Sequence, residues 1–233
     1  ADTGAHAVKL QTYTADTMTL NIKDREFVIN DSKSLWSGRS LYELYQEAHT
    51  PWEWHRPLYE RARQRGLTIF STPFDESAVD FLEELDSPAY KIASFENNDV
   101  NLIRKVAHTG KPIIVSTGMA TLGEISQAVE TIRNEGNDQI VLLKCTSTYP
   151  ADPSNSNLQT IPHLRDAFQT FVGLSDHTPG IGVPIAATAL GATVIEKHFT
   201  LDRSEGGVDA EFSLDPEEMR ALVEESSRAH ASL

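Results

Sequence analysis

The sequence predicts an α/β fold, a (β/α)8 TIM barrel from which the first β-α unit is missing. Three observations carry that reading. Short apolar runs alternate with helical stretches seven times along the 233 residues, which is the pattern of a parallel sheet covered by helices. Polar side chains collect just after the apolar runs, while the opposite ends hold plain turn residues such as Gly66, Gly110, Gly136 and Gly191. A barrel gathers its chemistry at one mouth in this way. Finally, Asp2-Thr-Gly-Ala5, ahead of the first strand, reads as the tail and C-cap of a preceding helix, so seven units belong to an eight-unit design.

The elements follow in order. Residues 7–11 form the first strand. Residues 12–50 are polar and irregular, without strand alternation, and a loop of that length in a compact domain is usually functional. It carries Trp36, Tyr42 and Tyr45 and leads into Thr50-Pro-Trp-Glu-Trp-His55. Residues 57–65 are helical and stop at Gly66; residues 67–72 are the second strand. Asp75 then caps a helix through Leu85, with Ala78, Leu82 and Leu85 on one face. Residues 89–94 are a strand, 102–108 a helix ended by Gly110 and Pro112, and 113–116 the next strand. Thr121 with Glu124 makes a capping box, behind which Ile125, Ala128, Val129 and Ile132 form a buried stripe. Residues 140–144 are a strand and 161–168 a short helix.

Two strands tipped by histidine come next. Phe171-Val172 runs into Gly173-Leu-Ser-Asp-His-Thr178, and Val194-Ile195 into Glu196-Lys-His-Phe199. Between them residues 180–190 are a small-residue helix closed by Gly191. Asp215-Pro216 with Glu218 opens the last helix.

Composition narrows the partners. Lys plus Arg number 20 against 34 Asp plus Glu, a net charge of -14, and such a field repels nucleic acid and anionic membranes. A small anion remains open to a local lysine cluster. Cys145 is the one cysteine, which excludes an internal disulfide framework and suits a reducing, cytoplasmic setting. No apolar run approaches the roughly 18 residues of a membrane helix, and residue 1 opens no signal peptide.

The strand ends carry Lys9 and Gln11; Ser71 and Thr72; Lys91, Ser94 and Glu96; Ser116 and Thr117; Lys144, Ser147 and Tyr149; Ser175, Asp176 and His177; and Glu196, Lys197 and His198. Converging on one mouth, these lysines and hydroxyls suit a phosphate or carboxylate. A single strand-end lysine is ordinarily solvated. Lys9 and Lys91 differ, since each follows an apolar strand and precedes a further donor by two or three residues. His177 paired with His198 suggests a metal site. Two imidazoles without cysteine make an open, oxygen-completed site, suited to Mn²⁺ or Mg²⁺ rather than structural zinc. His6, His49, His108, His163 and His230 receive no role. Trp52, Trp54 and His55 are either core packing at a helix start or an aromatic wall against a sugar.

Lys9-Leu-Gln-Thr12, Ser71-Thr-Pro-Phe74, Tyr90-Lys-Ile-Ala-Ser94, Ser116-Thr-Gly-Met119 and the two histidine motifs, taken in order, resemble the sialic acid synthases. These condense phosphoenolpyruvate with an N-acetylated sugar. The likeness covers nearly the whole chain. Leu35-Trp36, Leu41-Tyr-Glu-Leu-Tyr45 and the Thr50–His55 stretch are more similar to the pseudaminic acid branch. That branch uses a 2,4-diacetamido-2,4,6-trideoxy hexose in place of N-acetylmannosamine.

The resemblance implies a transferase domain over residues 1–233. Lys9, Thr72, Lys91, Ser94, Ser116 and Ser175 would hold phosphoenolpyruvate. Gln11, Glu96, Tyr149 and Asp209 would face the sugar or the reacting centre. Ser147 stands where the family commonly has Asn, as a further substrate contact. His177 and His198 would bind Mn²⁺, with Mg²⁺ or Co²⁺ as alternatives. The family's first strand, with a Glu near the reaction, and its C-terminal antifreeze-like domain fall outside this sequence. The whole enzyme would be a homodimer, and this stretch alone weakly active or inactive. A metal-dependent aldolase or hydrolase on the same barrel, and a sugar-binding module without catalysis, are the rival readings.

Overall fold

The computed structural model describes residues 1–32 and 34–233. The apolar runs pair in parallel as β1 (Ala7–Thr12), β2 (Thr68–Pro73), β3 (Tyr90–Ile92), β4 (Ile113–Ser116), β5 (Ile140–Cys145), β6 (Phe171–Asp176) and β7 (Val194–Lys197). They form a seven-stranded sheet whose spatial order is the sequence order. Helices α1 (Ala15–Met18), α2 (Leu41–Ala48), α3 (Trp52–Gln64), α4 (Glu76–Glu84), α5 (Val100–Ala107), α6 (Leu122–Asn134), α7 (Thr160–Phe168), α8 (Gly182–Ala189) and α9 (Pro216–Ala231) connect or follow the strands. This is the α/β, TIM-barrel-like architecture expected of the alternation.

Side chains of a strand alternate between two faces, and here the faces have opposite characters. Ile69, Tyr90, Ile92, Ile113, Val115, Leu142, Val172 and Leu174 join Val79, Leu82, Leu102, Ile103 and Ile132 of the helices in one buried core. Each such side chain contributes about 1.5–3 kcal/mol by leaving water. The other face is concave. β1 and β7 end the pairing order, yet Lys9 of β1 and Lys91 of β3 both reach Glu196 of β7, at 3.9 and 3.5 Å. Only a sheet curled toward closure brings those side chains together. Gly173 is needed for that curl, because a Cβ there would stand 2.2 Å from the Val194 carbonyl oxygen and 2.7 Å from Leu143 Cδ2.

The caps explain the helix starts. Asp75 caps α4, Thr121 and Glu124 form the capping box of α6, and Asp215 and Glu218 that of α9. Two expectations change. Helix α5 starts earlier, at Val100, because the Asp99 carboxylate accepts from the Asn101 and Leu102 N–H groups. The segment 12–50 is also not wholly irregular: it contains α1, a 3₁₀ turn over Arg25–Phe27 and α2, which Ser40 caps.

Helix α3 begins at Trp52, five residues before the expected start, and carries Pro57 inside it. This settles the Thr50–His55 stretch in favour of core packing for two of its three rings. Trp52 stacks on Phe81 with centroids 4.7 Å apart, and His55 is fully buried. His55 Nδ1–H donates to the Pro51 carbonyl at 3.2 Å. Its Nε2 therefore accepts from the Thr12 hydroxyl at 2.8 Å, and Thr12 in turn accepts from Ser71 at 2.7 Å. Burial holds the His55 imidazole below its usual range, which keeps this chain neutral. Trp54 points outward, 58% exposed.

Candidate active site

Strand register decides which strand-end residues share the concave face. Gln11 lies beside Thr72, Lys91 beside Ile114, Cys145 beside Ser175, and Ser175 beside Glu196. With period two, Lys9, Gln11, Thr72, Lys91, Ser116, Cys145, Ser175 and Glu196 all face inward. Lys144, Asp176 and Lys197 fall on the other face, and the expectation that they line the mouth is corrected. Lys144 bonds to the Thr146 hydroxyl. Lys197 pairs with Asp176 at 2.6 Å, with side chains only 1% and 3% exposed. Ser71 likewise turns to the helix side, in the chain with Thr12 and His55.

The inward set forms a cationic pocket. Glu196 sits between Lys9 and Lys91 and accepts from the Ser175 hydroxyl at 2.8 Å. Burial alone would raise the Glu196 carboxyl, but Lys91, then Lys9 and Ser175, outweigh it and hold it at about 2. Burial pulls the Lys9 ammonium down, with Glu196 opposing that pull. Two ammonium groups against one carboxylate leave one net positive charge when all three are ionised. Around it, the buried hydroxyls of Thr72 and Ser116 have no hydrogen-bond partner among the described residues. Leaving a buried polar group unpaired costs about 1–3 kcal/mol, so this donor set is built for an anion.

Ser94 and Ser147 meet nearby, at the turn after β4. Gly118 N–H donates to Ser94 Oγ at 3.2 Å. A Cβ on Gly118 would lie 2.3 Å from Ser147 Oγ and 2.7 Å from Ser94 Oγ, so glycine alone fits. Glu96, in the turn after β3, has a buried Oε2 without a hydrogen-bond partner among the described residues. Burial pushes its carboxyl up to about 7, against the opposing pull of its own N–H and of Lys91. That value lets it hold or release a proton near neutral pH.

The imidazoles of His177 and His198 lie 5.5 Å apart, centroid to centroid. His177 Nδ1–H donates to the Thr146 carbonyl at 3.0 Å, and His198 Nδ1 faces the Asp209 carboxylate at 3.3 Å. Each ring is thereby oriented with Nδ1 as its donor nitrogen, and in the neutral form Nε2 keeps its lone pair. This is the arrangement that outer partners impose on metal-binding histidines. Among the described residues no group of three or more His, Cys, Asp and Glu is placed to hold a metal. Two oriented imidazoles would be the donors to a divalent cation here, and oxygen atoms from elsewhere would have to complete it. Burial by itself would lower His177, but the adjacent Cys145 and the Thr146 carbonyl outweigh it and raise it. Burial would raise the Cys145 thiol, and contact with His177 instead brings it to about 7.

Aromatic rings border the imidazoles. Tyr149 is 4.4 Å from His177, Phe212 is 5.1 Å from His198, and the two are 5.5 Å apart. Trp36 meets Tyr149 at 6.3 Å. The inward residues named from sequence thus gather at one mouth, whereas Ser71, Lys144, Asp176 and Lys197 face the helices. Three contributors had no assigned part: Glu196 as the counter-ion of the lysines, Cys145 against His177, and Phe212 beside His198. Glu196 offered a signal, standing two residues before His198 on an inward position. Its pairing with Lys9 and Lys91, from other strands of the sheet, offered none.

A pseudaminic acid synthase of Campylobacter jejuni is 48% identical over 230 residues, which cover 99% of this chain and 66% of that protein. A pseudaminic acid synthase of Helicobacter pylori is 49% identical over 223 residues, covering 96% and 65%. Among solved structures, the N-acetylneuraminic acid (sialic acid) synthetase of Leptospira borgpetersenii superposes with a TM-score of 0.87 at 31% identity, covering 99% of this chain and 75% of that one. The chain spans 66% and 65% of the two curated relatives, just under two-thirds of each. The family model described as NeuB matches residues 1–233, and together with the lysine pocket and the paired imidazoles this shows that the chain belongs to the NeuB family.

Proposed function

We propose that the protein is a transferase condensing phosphoenolpyruvate with an N-acetylated amino sugar, releasing phosphate. The sugar in this reading is a 2,4-diacetamido-2,4,6-trideoxy hexose and the product pseudaminic acid. The relatives named pseudaminic acid synthase, at 48% and 49% identity, support that choice over N-acetylmannosamine. The observation that carries the reading is the buried pocket of Lys9, Lys91 and Glu196 with the unpartnered hydroxyls of Thr72 and Ser116. It is a site for a small, doubly anionic molecule, set beside two oriented imidazoles.

The residues divide the work. Lys9 and Lys91 offset the substrate's phosphate and carboxylate charge, and Thr72, Ser94, Ser116 and Ser147 fix its orientation by donating hydrogen bonds, while Ser175, whose hydroxyl donates to Glu196, lines the same pocket as an acceptor. His177 and His198 would hold the divalent ion, Mn²⁺ first and Mg²⁺ or Co²⁺ as alternatives, whose chemistry when bound is Lewis-acid polarisation of the sugar's open-chain aldehyde. Gln11, Tyr149 and Asp209 face that aldehyde end. C3 of phosphoenolpyruvate bonds to the aldehyde carbon, whose oxygen takes up a proton to become a hydroxyl; water adds at the electron-poor C2, and breaking the C2–O bond releases phosphate with the electron pair and leaves a ketone at C2. Glu96, with a carboxyl at about 7, takes the proton of that water. The same reading makes the whole protein a cytoplasmic homodimer; the unpaired Cys145 supports the reducing compartment.

The test is phosphate release by the full-length protein, assayed with phosphoenolpyruvate and each of the two sugars. Release should require both substrates, and His198→Ala should abolish its dependence on the divalent ion. Phosphate freed without any sugar, or none with either sugar, would overturn the proposal.

A further inference from the structure

We propose that Trp36 is a specificity-determining residue, the outer part of an aromatic wall that selects an amino sugar ending in a methyl over one ending in a hydroxymethyl. This rests on the function just proposed. Trp36 belongs to the segment that leaves β1, and its indole N–H donates to the Val208 carbonyl at 3.2 Å, bridging residues 172 apart in sequence. With that polar edge engaged, the half-buried side chain has only its apolar face to offer.

The rings are arranged in sequence outward from the imidazoles. Tyr149 and Phe212 touch them directly, while the ring contact of Trp36 is with Tyr149, tilted by 46° at 6.3 Å. A sugar whose aldehyde reacts beside His177 and His198 lays its first carbons against Tyr149 and its far end against Trp36. Next to this face the Val208 carbonyl already accepts from the indole N–H, and the Asp209 carboxylate is turned to His198 at 3.3 Å. A terminal hydroxyl pressed against the indole face gives up water without a partner from that face, whereas a methyl gains by the same burial. Apolar sites separate such pairs by about 10- to 100-fold.

Trp36→Ala and Trp36→Phe in the full-length protein test this with two sugars that differ only in a C6 methyl or hydroxymethyl. Trp36→Ala should lose about 10-fold or more in kcat/KM for the methyl sugar, through the sugar's KM, with little change for the hydroxymethyl sugar and none in the KM for phosphoenolpyruvate. Trp36→Phe keeps a wall but not the bond to Val208, and should retain most of the preference. Equal losses on both sugars, or Trp36→Phe as poor as Trp36→Ala, would overturn the wall and leave only a structural tie. Saturation-transfer NMR of the same sugars reads binding without turnover. If the wild type releases no phosphate, the proposed reaction falls, and the wall is then judged on whether methyl-sugar binding is preferred and lost in Trp36→Ala.

Discussion

Glu96 is a carboxyl kept out of water, and its titration should be visible in both rate and stability. Its folded value of about 7 lies above the ordinary 4.5. The group therefore contributes stability that is fully present below about 4.5 and lost as pH rises through about 7. Glu96→Gln removes that dependence. Its thermal midpoint should exceed the wild type's at pH 8 by more than at pH 5. If Glu96 accepts the water proton, wild-type turnover should climb through pH 7, and the variant should be flat and about 100-fold slower. A variant with unchanged rate and an unchanged pH profile would remove Glu96 from the chemistry. Lys9, Lys91 and Glu96 were legible in sequence because each is a charge set in or just past a short apolar strand, β1 for Lys9 and β3 for the other two. Glu196 was not read as their counter-ion, since the meeting of β7 with β1 and β3 is a property of the curl and leaves no local mark.

Within single elements, the ends of β6 and β7 hold His177 and His198 through the side chains next to them. Asp176 and Lys197 pair on the helix side, and Thr178 ties in by donating its hydroxyl to Asp176 while its carbonyl accepts from Lys197. Breaking a buried pair from one side strands a charge, at a cost of about 3–5 kcal/mol. Lys197→Met alone should therefore unfold at lower temperature than the double variant Asp176→Asn/Lys197→Met, as calorimetry can check. Equal midpoints would mean that the pair bears no such strain. The sequence misplaced these two residues because a strand-end charge was read as a mouth charge, and a shift of one position changes the face. The helix α2 was overlooked for a similar reason. Leu41, Leu44, Tyr45 and Ala48 do follow the helical spacing behind the Ser40 cap, but this short stripe is diluted in residues 12–50, which as a whole are polar and irregular. Trp36 was visible as an aromatic in a long loop, and only the bond to Val208 shows where that loop lies.

For the whole molecule, the alternation of apolar runs and helices was enough to foresee a curled parallel sheet with its chemistry at one edge. It could not foretell which strand-end side chains cross that edge, because register is fixed by pairing between strands distant in sequence. The two faces of the sheet impose different penalties on change. Leu174 and Asp176 support the packing, while Ser175 and His177, interleaved with them, look into the concave side. Systematic replacement along residues 172–177 should consequently trace a sawtooth. Odd positions from Ser175 onward would forfeit turnover with little loss of melting temperature, and even ones would melt first. Natural drift at this rim can thus retune the reaction one tooth at a time while the teeth between keep the body folded.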